Sequence, residues 1–501
     1  MLAFRAYTRT SSLKHVLKTL CLAGGPRSIS TTRLDPSIRG FAKALAEKQP
    51  GFSVHAKDIN VLSEPQQFYQ RLLDMIRRAR NRVFISSLYI GSADRELIDT
   101  LSSALRSNAR LEVYLQLDLN RSTRPGASST ARVLLPLLNE FPERFHVSLF
   151  RSPKLRGLMA KLVPPRFNEG WGTWHAKIYG VDDEVMISGA NLNHSYFTDR
   201  QDRYIHFSAQ PTMSQYCFSF LKAVASFSYK LVPATTGSSR EGYHLEWPDS
   251  SCHPHHFHAQ AERALTELQA SYLKAPLSPN LPEADVVVFP VIQGGQFNIR
   301  EEERCLAMLF DHLRPESPSA GQNLCMDLTS GYFGLSQTYQ DLILRSSINC
   351  NIIAASPKAN GFYGSSGLSG RIPDGYTLLE QRFMRAVEAS GRKWSQSSGK
   401  GVQLNLWSKP DWTYHAKGIW LSPTPNSAPV ATLFGSTNLN SRSANLDTEL
   451  SFMMLTSSEA LRNKLHQEIQ ALRQHAGPWT GGERQVPLMT RAIVGIVGGM
   501  L

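Results

Sequence analysis

An α/β protein built from two duplicated units, facing each other about a pseudo-twofold axis around one shared site, is the fold class that this 501-residue chain predicts. Three observations predict it. The tripeptide His-Ala-Lys begins at His175 and again at His415, inside longer stretches that agree: "WGTWHAKIYG" beside "DWTYHAKGIW", then "SGANLN" ending at Asn193 beside "GSTNLN" ending at Asn440. Eleven residues past Asn191 stands Asp202, and eleven past Asn438 stands Glu449. Upstream, "NRVFISSLYIGSADRELI" from Asn81 parallels "NLCMDLTSGYFGLSQTYQDLI" from Asn323; Tyr89 and Tyr332 lie 243 residues apart, His175 and His415 240 apart. An internal duplication explains both offsets.

The elements follow in chain order. Residues 1–33 hold six basic residues (Arg5, Arg9, Lys14, Lys18, Arg27 and Arg33), many Ser and Thr, and no acid before Asp35. That is the composition of a mitochondrial transit peptide, and the expected location is the mitochondrion, on the matrix side of its inner membrane. The first unit is expected over 40–235. "VHAKDINVL" at His55 has the tripeptide but no downstream turn or asparagine, so His55 is read as a bystander. Phe68, Leu72, Ile76 and Ala79 then mark one face of a helix. A polar linker is expected over 236–283, the second unit over 284–480, opened by the strand-like "ADVVVFPVI", and a tail over 481–501.

Composition narrows the partners. Hydrophobic content of 42% is that of a globular chain, not a disordered one. No apolar run approaches the roughly 20 residues that span a bilayer. Without the leader's charges, 48 basic residues stand against 41 acidic ones, so a net +7 of the formal +13 belongs to the body. A moderately basic body suits an anionic partner. The six cysteines show no paired spacing and read as reduced thiols. "CHPHHFH", Cys252 to His258, offers zinc-type ligands at a spacing that fits no standard site.

The repeated pattern asks for phosphoryl chemistry. Side chains alternate along a strand, so His-x-Lys sets an imidazole and an ammonium on one face, with Ala176 or Ala416 turned into packing. A returning strand brings Asn191 or Asn438 beside the histidine. Two halves then supply two imidazoles, two ammoniums and two amides. The cations and amides can hold the nonbridging oxygens of a phosphodiester as charge builds, while one imidazole attacks phosphorus and the other serves the leaving group. No cofactor and no metal are required.

Taken together, these residues resemble the phospholipase D superfamily, whose signature is His-x-Lys, four residues, Asp, then a Gly/Ser-rich turn and Asn, present twice. The resemblance covers nearly the whole chain after the leader and implies two α/β/α units with mixed sheets. It implies His175 as nucleophile and His415 as general acid and then base. Lys177, Lys417, Asn191 and Asn438 would bind the phosphoryl oxygens, and Asp182 would orient the site. The second motif departs from the pattern. Seven residues after His415 stands Ser422, not Asp, and "SPTPNSAP" lengthens the turn. Glu449 is the candidate to orient His415 instead. In the first motif the turn before Asn191 is one residue short.

Within the superfamily, "SSLYIGS", "LQLDLNRSTRPG" and the first motif look like the phosphatidylglycerophosphate synthases of mitochondria. That resemblance implies CDP-diacylglycerol and glycerol 3-phosphate as substrates, with peripheral contact to the anionic inner membrane and no nucleic acid. A hydrolase or nuclease using water, or a noncatalytic scaffold, are the alternatives. Asp118, Arg121 and Arg124 are candidates for the acceptor pocket. "RSPKLRGLMAKLVPPRF" could rest on anionic lipid, and "GFYGSSGLSG", Gly361 to Gly370, could cover the site. Neither it nor "SSLYIGS" ends in the Gly-Lys-Ser/Thr of a nucleotide-binding P-loop.

Overall fold

Two mixed sheets with one strand order run through the protein. The computed structural model describes residues 31–93, 95–126, 129–157, 162–164, 167–235, 239–274, 284–313 and 323–500. Most of the leader lies outside the described residues, as do Leu158 to Lys161 and Pro165 and Arg166 of the basic-apolar segment. The first sheet runs Ile59–Leu62, Tyr204–Phe207, Glu184–Ser188, Ile178–Val181, Arg82–Ser86, Glu112–Asp118, Phe145–Phe150, Tyr229–Pro233 and Tyr243–Glu246. The second runs Phe52–Val54, Val286–Gly294, Glu449–Thr456, Ala431–Gly435, Gly418–Ser422, Cys325–Ser330, Asn349–Ala355, Val402–Trp407 and Ala476–Pro478. Aligned on the motif strands, with Ile59–Leu62 matched to Val286–Gly294, the two orders agree, and Phe52–Val54 is an extra strand at the edge of the second sheet. In each half one trio is parallel, Arg82–Ser86 to Phe145–Phe150 and Cys325–Ser330 to Val402–Trp407, and the motif strands pair antiparallel. The duplication read from residue spacing is therefore a duplication of topology.

Packing follows from burial pattern. The Val286–Gly294 strand is buried throughout, and its neighbours are nearly so. A shared core joins Ile178, Ile187 and Ile205 of one half to Phe434, Phe452 and Met454 of the other, with Phe220 and Leu465 from flanking helices. These helices, Pro211–Ala225 and Glu459–Arg473, occupy equivalent places; Pro211 starts one, and Ser458 caps the other by accepting from Leu461 N–H. Outer cores cover the opposite sheet faces. Helix Pro65–Arg77 buries Phe68, Leu72 and Ile76 as its spacing predicts, ending before Ala79.

The segment ahead of the first unit departs from the expected boundary. Helix Pro36–Lys48 packs Ile38, Phe41 and Leu45 into the second half's outer core, and Phe52–Val54 pairs with Val286–Val288. It covers what would otherwise be an open sheet edge. The 236–283 region likewise adds Tyr243–Glu246 to the first sheet and lays helix His258–Lys274 on helix Pro211–Ala225. His55 sits in the connection between Phe52–Val54 and Ile59–Leu62, ahead of a short turn held by Asp285 on the Ala56 N–H.

Candidate active site

The site lies where the parallel strands of both halves end, the place where open α/β sheets take ligands. Each His-x-Lys precedes its strand. Ser86, closing one parallel strand, donates to Ala176 C=O (2.6 Å) and accepts from the Trp174 indole (2.8 Å). Thr329 stands equivalently in the other half, bonded to the Tyr414 hydroxyl. Gly331 is required by close approach, since a Cβ there would lie 2.7 Å from His415 Cα.

The two halves are strapped together at this point, and the straps cross. His175 N–H donates to Thr448 C=O and Thr448 N–H to Thr173 C=O, both at 2.9 Å. His415 N–H donates to Gln201 C=O (2.8 Å) and Thr413 N–H to Asp199 C=O (2.9 Å). Each histidine is thus pinned to the segment leading into the other half's acid. In consequence His175 Nδ1 meets Glu449, 2.9 Å from both oxygens, and His415 Nδ1 meets Asp202 at 2.7 Å. The expectation that Glu449 orients His415 is corrected: it orients His175. Asp202 does the corresponding work for His415. Asp202 was visible in the sequence as the residue mirroring Glu449, but which histidine each acid serves depends on how the halves meet.

The two pairs differ electrostatically. Glu449 is buried and also accepts from Ser443 (2.7 Å) and Ser436. Burial opposes its ionisation, but the charge and hydrogen bond of His175 prevail and hold it at about 2. Where Ser436 stands, the first half has Gly189, whose missing Cβ would fall 2.5 Å from Asp202 Oδ1. With fewer donors, burial pushes Asp202 up to about 6. Both imidazoles are held below their ordinary range by burial. Glu449 opposes that for His175, whereas Lys417 adds to it for His415.

The other residues implied by the motifs converge here in part. Lys177 and Lys417, both buried, donate to the carbonyls of His175 (2.6 Å) and His415 (2.9 Å). Burial lowers them to about 7 and about 8. Asn191 donates to the Tyr196 hydroxyl (3.0 Å), which lies 3.4 Å from His415 Nε2. Asn191 and Asn438 are buried, and the Oδ1 of each lacks a hydrogen-bond partner, so both amides have an end left to offer a ligand.

Three expectations are revised. Asp182 is not in the constellation. It sits in the hairpin at the far end of strand Ile178–Val181, at φ 49°, and its carboxylate takes the N–H groups of Arg80, Asn81 and Arg82 at 2.7–3.0 Å. Its work is to fasten the start of strand Arg82–Ser86. Asp118 is fully buried, with its oxygens on the N–H groups of Arg121 (2.9 Å) and Trp174 (3.0 Å), and burial raises it to about 8. It positions the residue before His175 and has no side turned to an acceptor. Arg121 and Arg124 both pair with Glu169, and Arg121 lies over the Tyr89 ring at 4.3 Å.

Among the described residues, one trio has nitrogen and oxygen atoms close enough for a metal: His175, Asp447 and Glu449. Its carboxylates are already committed. Asp447 accepts from Thr173 N–H (2.8 Å) and Oγ1 (3.0 Å) and pairs with Arg442 (2.8 Å), while Glu449 holds His175 and two serines. The trio is a hydrogen-bonded support for His175, and the histidines near Cys252 form no such group.

No family model matches the chain. The chain is similar to the CDP-diacylglycerol–glycerol-3-phosphate 3-phosphatidyltransferase of Schizosaccharomyces pombe, at 34% identity over 487 residues, 89% of this chain and 95% of that one. It is similar to the enzymes of that name, called mitochondrial, from Bos taurus (34% over 481 residues; 89% and 84%) and Homo sapiens (32% over 481 residues; 89% and 84%). Among solved structures, the phosphatidylserine synthase of Haemophilus influenzae superposes with a TM-score of 0.67 at 20% identity, over 93% of this chain and 97% of that one, and so shares the fold. With two thirds or more of each relative covered at this identity, the chain belongs to the CDP-diacylglycerol–glycerol-3-phosphate 3-phosphatidyltransferase family.

Proposed function

We propose that the chain transfers the phosphatidyl group of CDP-diacylglycerol to sn-glycerol 3-phosphate, giving phosphatidylglycerophosphate and CMP, by way of a phosphatidyl-His175 intermediate. The names of its relatives support the overall reaction. The observation that carries the division of labour is the unequal support of the two histidines. A carboxylate held in its anionic form chiefly by His175 itself, with Lys177 and Ser436 adding to it, fixes the Nδ1–H tautomer of His175 and leaves Nε2 with its lone pair toward the site. His415, beside the weaker acid Asp202 and within reach of the Tyr196 hydroxyl, is the group better suited to pass a proton.

In the first step His175 Nε2 forms a bond to the phosphorus bearing diacylglycerol. The bond from that phosphorus to the CMP oxygen breaks, and protonated His415 gives its proton to the departing CMP. In the second step neutral His415 takes the proton of the glycerol phosphate hydroxyl, whose oxygen bonds to phosphorus as the bond to His175 breaks. Lys177, Lys417 and the amide NH2 groups of Asn191 and Asn438 donate to the nonbridging oxygens. An anionic donor entering this buried, cationic site favours the protonated form of His415, which supplies the acid, while His175 attacks as the neutral imidazole.

The location that goes with this reading is the matrix side of the mitochondrial inner membrane, touched from one face. Several relatives are named mitochondrial. No helix among the described residues is long and apolar enough to cross a membrane. Exposed apolar side chains cluster on segments beside the site: Leu162 and Phe167 ahead of Glu169, Tyr363 and Leu368 in the Gly361–Gly370 loop, and Leu488 and Met489 on helix Leu488–Val497.

Labelled CDP-diacylglycerol, with and without glycerol 3-phosphate, tests the reaction. His415→Ala keeps the nucleophile and loses the base, so a labelled lipid adduct on His175 should accumulate. An adduct on His415 in a His175→Ala protein would reverse the roles. CMP release strictly dependent on the acceptor, with no adduct in either variant, would replace the covalent scheme by direct transfer.

A further inference from the structure

The duplication places opposite charges at one equivalent position. Two residues before Asp202 stands Arg200; two residues before Glu449 stands Asp447. Both lie on the segments that strap to the opposite half. Asp447 is absorbed by Thr173 and Arg442. Arg200 is not absorbed in this way. Its Nε donates to Thr413 Oγ1 (2.8 Å) and its guanidinium lies over the Tyr196 ring at 4.4 Å, but among the described residues no carboxylate forms an ion pair with it. The other arginines near the site are compensated: Arg121 and Arg124 by Glu169, Arg203 by Glu468, Arg442 by Asp447.

Its position is specific. Tyr196 and Tyr332 both stand edge-on to the His415 ring, at 5.1 and 5.4 Å between centroids, on the side where Arg200 lies. The loop from Gly361 passes over the guanidinium. A Cβ on Gly361 would come 3.3 Å from an Arg200 Nη and 3.0 Å from the Tyr332 hydroxyl, so the chain there is as close as glycine allows. A half-buried guanidinium that no carboxylate pairs with directly, although Asp202 lies near enough to feel its charge, is a site prepared for an anion, and its fork suits phosphate oxygens.

We propose that Arg200, with Tyr196 and Tyr332 under the Gly361 loop, forms the subsite for the phosphate monoester of the acceptor. This rests on the reaction proposed above and assigns the part of it that selects the acceptor. The donor's reacting phosphate belongs to the lysines and amides. The acceptor must present a hydroxyl to His415 while its own phosphate finds a second cation nearby, and Arg200 is the uncompensated one on that side. Water and uncharged polyols gain nothing from Arg200, so the subsite favours transfer over hydrolysis.

The test compares acceptors in the full-length enzyme. Arg200→Gln should raise KM for glycerol 3-phosphate and lower the ratio of kcat/KM for glycerol 3-phosphate over glycerol by about 10- to 100-fold, the range of a lost hydrogen-bonded charge. Arg200→Lys, which keeps the charge without the fork, should fall between and serves if the glutamine variant folds poorly. Inorganic phosphate should compete with glycerol 3-phosphate in the wild type, and less well in Arg200→Lys. Equal losses on both acceptors, or an unchanged KM, would overturn the subsite. Wild-type enzyme that releases CMP but never labels glycerol 3-phosphate would instead sink the reaction itself, a different result.

Discussion

At the scale of single residues, the crossed acids are the feature with the sharpest consequences. Glu449→Gln removes the anion that fixes His175, and the first step should slow by roughly 10²–10⁴-fold, the range typical of general acid–base support. Asp202→Asn should slow the second step more than the first, and should therefore trap lipid on His175, which Glu449→Gln should not. Quenched-flow detection of the adduct separates them; identical adduct levels in the two variants would contradict the assignment. The lysines set the alkaline limb. Lys177, held at about 7, and Lys417, at about 8, lose charge as pH rises. kcat/KM for the donor should fall from about pH 7 upward, since it reports the free enzyme. Bound phosphate anion restores both charges, so the limb of kcat should lie at higher pH. Coincident limbs in the two profiles would mean that the lysines do not contact the donor. Much of this site was legible in the sequence, because His, Lys and Asn recur at fixed spacing. The pairing of acids was not, because Asp202 and Glu449 stand equally far from their own motifs and only the meeting of the halves decides between them.

At the scale of elements, Asp182 shows how a motif residue can serve the strand and not the reaction. It occupies a left-handed turn and receives three consecutive N–H groups from the segment entering strand Arg82–Ser86. That strand delivers Ser86, which holds Ala176 and Trp174 on either side of His175. Asp182→Ala loses the three acceptors and puts a Cβ without a local partner at positive φ. Stability should fall by about 1–3 kcal/mol, with kcat of the folded fraction reduced far less than in His175→Ala. Thermal melting with active-site titration reads both; a kcat loss matching that of His175→Ala at unchanged Tm would return Asp182 to the site. The second half has Ser422 at this place, paired within the sheet opposite Cys325, and carries no acid there. Periodicity located the helices well, as at Phe68 and Leu72. It gave no sign that Phe52–Val54 joins the other half's sheet, because a short apolar strand carries no label for its partner.

At the scale of the whole molecule, neither half makes a site alone: each provides a histidine that the other must orient. Helix Leu488–Val497 packs on helix Ile372–Ala389, and the short turn after it touches Ser441–Asn445, which carries Arg442. The Gly361–Gly370 loop covers Arg200, and Phe167 precedes Glu169, the partner of Arg121. The exposed apolar residues of these three segments are the expected contacts of a two-chained lipid. Each aliphatic or aromatic side chain that seats in a bilayer surface contributes up to about 1.5–3 kcal/mol, and the basic body adds attraction to anionic lipid. Replacing Tyr363, Leu368, Leu488 and Met489 together by Ser should reduce binding to cardiolipin-containing vesicles more than 10-fold, an estimate set by partial insertion of at least one such side chain. Turnover of donor embedded in those vesicles should fall in proportion. The same loss should appear in high salt only as a further decrement, since the apolar part is not screened. Equal sedimentation of variant and wild type with vesicles would place the membrane contact on another face.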